Sequence, residues 1–213
     1  MPSLNDSKCI LVTGATAGIG RVLALRIKDL PSKPKVIVTG RRKERLDELA
    51  SQGFETVQVD LDTDKTGIKK FVDGLLAKYP DLDAAILNAG KQVETWWTAT
   101  PEKPVDLDSL ASEMNVNYTS IVATITYLLP HFHKLASEGK PTIIAPVTSG
   151  LVSKPQRNPT RFLIHSMGLL RASSLDLGLR TTLPRRPLCI HFASPCKRSF
   201  MGPTFMSSRS AHR

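Results

Sequence analysis

The stretch Thr13-Gly14-Ala15-Thr16-Ala17-Gly18-Ile19-Gly20 constrains this chain more than any other. It follows the apolar run Cys9-Ile10-Leu11-Val12 and opens a segment, Arg21 to Ile27, with a helical pattern. A short apolar run, a glycine-rich turn and a helix, in that order, describe the first turn of a dinucleotide-binding βαβ unit. Gly14 lets the chain leave the strand sharply, while Gly18 and Gly20 let backbone and helix approach a pyrophosphate with no Cβ in between. The phosphate charge then faces N–H groups that a helix N-terminus leaves without intrahelical partners. A tight strand-to-helix turn with no ligand is the plainer reading of the same residues.

The next segments continue the alternation. Lys35 to Val38 reads as a second strand closing on Thr39-Gly40-Arg41-Arg42. An acid near the end of this strand suits a ribose 2′-OH, whereas arginine suits a 2′-phosphate. No acid occupies Thr39 to Arg42, which favours NADP(H), with Arg41 as phosphate partner and Arg42 as its neighbour. Two solvated arginines opening the helix from Glu44 to Ser51 are the alternative. Phe54 to Val59 alternates like a third strand and ends at Asp60-Leu61-Asp62, where Asp62 or Asp64 can cap the helix Lys65 to Tyr79. Leu82 to Leu87 is a fourth strand, followed by Asn88-Ala89-Gly90.

Gln92 to Asp108 is irregular, and the adjacent Trp96 and Trp97 offer either a substrate lip or a loop anchor. A helix over Leu110 to Leu135 carries Asn115-Val116-Asn117-Tyr118, with Asn115 expected on its surface. Pro141 to Ala145 reads as a fifth strand leading to Val147-Thr148-Ser149-Gly150.

The TGxxxGxG spacing, Asn88-Ala89-Gly90, Val116-Asn117 and Ser149, in this order, resemble the short-chain dehydrogenase/reductase family over residues 8–151. The resemblance implies an α/β fold, a Rossmann-type doubly wound parallel sheet of order 3-2-1-4-5, with strands 6 and 7 doubtful. It implies a dinucleotide-binding domain over residues 1–151 and hydride transfer between NADP(H) and a small carbonyl or alcohol substrate. By resemblance, Gly14, Thr16, Gly18, Ile19 and Gly20 bind the cofactor, and Asp60 with the backbone of Leu61 contacts the adenine. Asn88 braces the central strand, and the small Ala89 and Gly90 let the cofactor ribose approach. Asn117 bends its helix and holds a proton-relay water, and Ser149 hydrogen-bonds the substrate carbonyl oxygen. The helix over 110–135 commonly forms the family's subunit interface, so a homo- or hetero-dimer is expected.

The C-terminal third departs from the pattern. Family chemistry needs a tyrosine to give the carbonyl oxygen a proton, with a lysine four residues on that lowers its pKa and binds the ribose. No tyrosine follows Tyr127, and no lysine lies between Lys154 and Lys197. Family spacing from Ser149 lands on Phe162, with Ser166 in the lysine place. Phenylalanine keeps the ring but has no proton to give. An impaired enzyme, a non-catalytic NADP-binding partner of intact relatives, and a nonfunctional product of a disrupted frame are the three readings. For the third, Val152-Ser153 can be encoded by GTAAGC, which resembles the start of an intron, and a shifted frame over residues 181–212 permits a string opening Tyr-Ser-Ala-Thr-Lys.

Composition sets the remaining bounds. At 213 residues the chain suits one domain, somewhat shorter than the family's usual catalytic domain. The net charge of +10 has one source: residues 154–213 hold 11 Lys/Arg against one acid, Asp176. That segment, 152–213, is read as aberrant. It shows neither a recognition helix nor an aromatic platform, so nucleic acid is not the expected partner. Cys9, Cys189 and Cys196 give no disulfide framework or zinc spacing, no metal is expected, and a reducing compartment fits. No signal peptide or membrane span is legible, since Val116 to Phe132 carries Asn, Thr, Ser and Pro. A soluble cytoplasmic protein is expected.

Overall fold

Cys9-Ile10-Leu11-Val12 forms β1 (Cys9–Val12), and all of it is buried. A strand covered on both faces reads as a continuous apolar run, the mark of an interior parallel strand. The structure, a computed structural model, describes residues 3–93 and 105–147 and the backbone of 189–190. After β1 come α1 (Gly18–Lys28), β2 (Lys35–Gly40), α2 (Lys43–Ser51), β3 (Glu55–Gln58), α3 (Lys65–Lys78) and β4 (Ala84–Leu87). They are followed by α4 (Leu107–Met114), a π-helical turn at Asn115–Thr119, α5 (Ser120–Ser137), β5 (Ile143–Pro146) and β6 (Cys189–Ile190).

The sheet is parallel, in the order β3-β2-β1-β4-β5-β6. The expected 3-2-1-4-5 is therefore present. The doubtful sixth strand exists as two residues, Cys189 and Ile190, paired with Ile143 and Ile144. A seventh would fall outside the described residues.

The two-residue period of β1 divides the core into two layers. Cys9 and Leu11 pack with Ile37, Leu75, Leu128 and Phe132 under α3 and α5. Ile10 and Val12 pack with Val36, Ala24, Ile27 and Leu49 under α1 and α2. At the N-terminal end of β1 the Asp83 carboxylate accepts the N–H groups of Lys8 (2.8 Å) and Cys9 (3.2 Å). Burial pushes the Asp83 carboxyl pKa up, and those two bonds oppose the shift.

The helix expected in one piece over 110–135 is two helices around the π-helical turn. It starts earlier, at Leu107, because Asp106 accepts the Ser109 N–H at 3.0 Å and satisfies the first turn. At the break the Ser120 N–H bonds the Asn115 carbonyl, a five-residue step that widens the turn. α3 is capped by Asp64, which accepts the Gly67 N–H at 2.7 Å, leaving Asp62 for another role. Among the described residues no helix is long and apolar enough to cross a membrane.

Phe132 is fully buried between α5 and the sheet. Phe132→Ala should cost about 3–5 kcal/mol in urea denaturation, whereas the same change at the exposed His133 should stay within about 0.5 kcal/mol.

Candidate functional site

β1 sits between β2, which leads to β3, and β4, which leads to β5, so the chain winds away in both directions from it. In such sheets a crevice opens at the strands' C-terminal ends, where the order reverses. A cleft of about 590 Å³ lies there.

Its two sides are locked together by one pair of residues. Thr13 Oγ1 accepts the N–H groups of Asn88 and Ala89, both at 3.0 Å. In return, Asn88 Nδ2 donates to the carbonyl oxygens of Thr13 (3.3 Å) and Gly14 (3.5 Å). The glycine turn is cut to fit this lock. Gly14 has φ +67°, and a Cβ on it would fall 2.7 Å from Ala89 Cα. A Cβ on Gly20 would collide with the Asn88 amide and the Gly14 carbonyl, so Gly20 is required by packing before any ligand arrives. Gly18 faces open space instead. α1 begins beside it with Ala17 as a cap that offers no side-chain acceptor, leaving first-turn N–H groups for an anion.

The side facing β2 is basic. Arg42 Nη2 donates to Thr16 Oγ1 at 3.1 Å, joining the end of β2 to the glycine turn. Arg41 Nη1 lies 4.0 Å from Asp60 Oδ2, with both side chains more than half exposed. Asp60 Oδ1 also accepts the Asp62 N–H at 3.0 Å.

Of the residues assigned to the cofactor from the sequence, all line the cleft except Ile19 and Gly20. Ile19 stands 72% exposed at the start of α1. Val116, of the Val116-Asn117 pair, lines the cleft as well, and so does Lys91, which the sequence reading does not include. A lysine directly after Asn88-Ala89-Gly90 was the available signal.

Asn117 clasps Lys91 by its backbone: Oδ1 accepts the Lys91 N–H at 2.8 Å and Nδ2 donates to the Lys91 carbonyl at 2.6 Å. Asn115, expected on the surface, is instead half-buried. The π-helical turn points its Nδ2 to Asp62 Oδ1 and to the Thr63 carbonyl, both at 3.1 Å. Asp62 also accepts the Ser112 hydroxyl and lies 3.8 Å from Lys91 Nζ. The Ser112 bond first, then Asn115 and the charges of Lys91 and Arg41, hold the Asp62 carboxyl below its ordinary range against the effect of burial. Ser149, Phe162, Ser166, Trp96 and Trp97 lie outside the described residues.

The profile of the short chain dehydrogenase family matches residues 8–158. This chain belongs to the short-chain dehydrogenase/reductase family. Members use NAD(P)(H). The chain is 35% identical over 127 residues to a serine 3-dehydrogenase of Rhizobium radiobacter, covering 58% of this chain and 48% of that one. It is 29% identical over 136 residues to an NADP-dependent 3-hydroxy acid dehydrogenase of Schizosaccharomyces pombe, covering 60% and 50%. The chain thus spans about half the length of these relatives. Among solved structures, the closed form of a serine dehydrogenase complexed with NADP+ superposes with TM-score 0.56 at 27% identity, over 70% of this chain and 56% of that one.

The depressed Asp62 pKa fixes the sign of a pH effect. A carboxyl whose folded pKa lies below its unfolded value adds stability above the unfolded value, and loses it as pH falls through the folded one. The stability difference between wild type and Asp62→Ala should therefore be constant at neutral pH. It should shrink as pH drops below the ordinary 3.8, read by urea denaturation across a pH series.

Proposed function

We propose that this chain binds NADP(H) in the cleft between the glycine turn, the end of β2 and Asn88-Ala89-Gly90. The Arg42–Thr16 bond carries this reading: it sets a guanidinium and a hydroxyl at the mouth of the glycine turn, where Thr39 to Arg42 offers no carboxylate. A 2′-phosphate needs that combination of donors, and a 2′-OH does not. The open space at Gly18 and the uncapped start of α1 suit the pyrophosphate.

When bound, the nicotinamide supplies or takes a hydride. Everything else falls to the chain. Thr16, Arg41 and Arg42 hold the 2′-phosphate, Asp60 and Leu61 border the adenine, and Asn88 keeps the glycine turn in place for both. Asn117 holds the relay side of the site, and Ser149 would orient a carbonyl or alcohol oxygen. Proton transfer to that oxygen lacks its usual donor, because Phe162 and Ser166 stand at the family spacing of tyrosine and lysine. Loss of a positioned general acid slows the step by roughly 10²–10⁴-fold.

Cofactor binding held mainly by the adenosine half, with slow carbonyl reduction or alcohol oxidation, is the expected behaviour. The same absence favours a second reading, a non-catalytic NADP-binding partner that dimerises with intact relatives through α4, the π-helical turn and α5, where Met114 and Tyr118 are exposed.

Fluorescence titration should show NADPH binding in preference to NADH. Arg42→Ala should weaken NADPH by about 10- to 100-fold, the equivalent of one charged hydrogen bond, and leave NADH unchanged. Equal affinity for the two nucleotides in the wild type would reject the 2′-phosphate assignment. A reductase assay on a panel of ketones and aldehydes separates slow turnover from none.

A further inference from the structure

The adenine end of the cleft is bordered on one side by the segment after β3, residues 60–61, and on the other by the segment after β4, residues 88–91. β3 and β4 are not neighbours: β2 and β1 lie between them. The sheet spaces the strands through β2 and β1, but past the strand ends no ladder joins the two segments directly, and side chains bridge them.

The side chains that do so converge on α4 and the π-helical turn. From the β3 side, the Asp62 carboxylate accepts the Ser112 hydroxyl and the Asn115 amide, and Asn115 also holds the Thr63 carbonyl. From the β4 side, Lys91 Nζ donates to the same Ser112 hydroxyl oxygen and lies 3.8 Å from Asp62 Oδ2, while Asn117 clasps the Lys91 backbone. Ser112 thus passes a chain of hydrogen bonds from Lys91 to Asp62. The pair is only partly open to water, with side-chain exposures of 32% and 25%.

An ion pair in this position adds little to net stability, since desolvation offsets attraction. What it adds is a fixed distance. We infer that Asp62 and Lys91 are positioning residues for the adenosine half of the nucleotide, holding Leu61 and Gly90 at the separation that it requires. The inference rests on the nucleotide reading of the cleft, and concerns residues that the glycine turn and the basic strand end do not involve. Removing either partner breaks the same Lys91–Ser112–Asp62 link while the Asn117 and Asn115 backbone contacts remain, so the two substitutions should not add.

The test is calorimetric titration of the full chain with 2′,5′-ADP, which carries the adenine half and no nicotinamide, alongside NADPH. Asp62→Ala and Lys91→Met should each weaken 2′,5′-ADP by about 5- to 10-fold, and the double variant by no more than either alone, as for groups acting as one unit. Lys91→Arg should keep the wild-type affinity, because it restores the cation on a similar stem. Thermal unfolding of each variant distinguishes lost positioning from lost folding: the expected result is weaker binding by a chain that still melts in one cooperative transition well above the titration temperature, Asp62→Ala somewhat below wild type. Wild-type binding of 2′,5′-ADP with unchanged affinity in the variants would overturn the inference and leave the nucleotide reading standing. Losses that multiply in the double variant, or a Lys91→Arg protein as weak as Lys91→Met, would overturn it too. Failure of the wild type to bind either 2′,5′-ADP or NADPH would reject the cleft as a nucleotide site, and the inference with it.

Discussion

The exchange between Thr13 and Asn88 is the contact from which the cleft is built. A parallel strand that ends at a sheet's C-terminal edge leaves polar backbone groups that the ladder no longer pairs. Here the end of β1 and the end of β4 satisfy each other: one threonine oxygen takes two N–H groups, and one asparagine amide returns to two carbonyls. Because both partners are short, the two chain ends come so close that neither Gly14 nor Gly20 has room for a Cβ. The glycines of the turn are thus partly a record of the lock, and the open space left at Gly18 is what the lock frames.

That dependence explains which parts of the site were legible in the sequence. Gly14, Asn88 and Ala89 answer to backbone geometry, and backbone geometry restricts residue type tightly enough to leave a pattern. The strands were legible for a related reason: Cys9–Val12, Val36 to Val38 and Ala84–Leu87 are buried on both faces and so read as unbroken apolar runs. Arg41 and Arg42 could be noticed because the missing acid at the end of β2 is itself informative.

Asn115 and Lys91 were not legible, and their contacts show why. Asn115 meets Asp62 and Thr63, more than fifty positions earlier, and only because a π-helical turn rotates it inward. A single helix drawn through Leu110 to Leu135 puts the same residue on the outside. Lys91 reaches Asp62 across a distance in sequence that no periodicity encodes. The helix start at Leu107 depended likewise on which of several acids acted as a cap, a choice made by local backbone shape rather than by composition.

On the proposed function, the division of labour within the cleft bears on what a chain with Phe162 and Ser166 at the tyrosine and lysine spacing retains. Charged hydrogen bonds to phosphates contribute about 1.5–3 kcal/mol each, and the groups proposed to make them, Arg41, Arg42 and Thr16, all belong to the first two strand-to-helix connections. Ser149, the residue proposed to act on a substrate oxygen, comes after β5 in the sequence. On that reading, affinity for the adenosine half and the rate of reaction draw on separate stretches of chain, and the lysine missing from the later stretch removes a ribose contact but none at the adenine end. A general acid lowers a barrier without adding to the grip on the adenine end, since only interactions stronger in the transition state than in the ground state raise the rate. On the proposed function, binding and turnover are for that reason separable properties, with the Thr13–Asn88 lock and the Arg42–Thr16 bond serving the first.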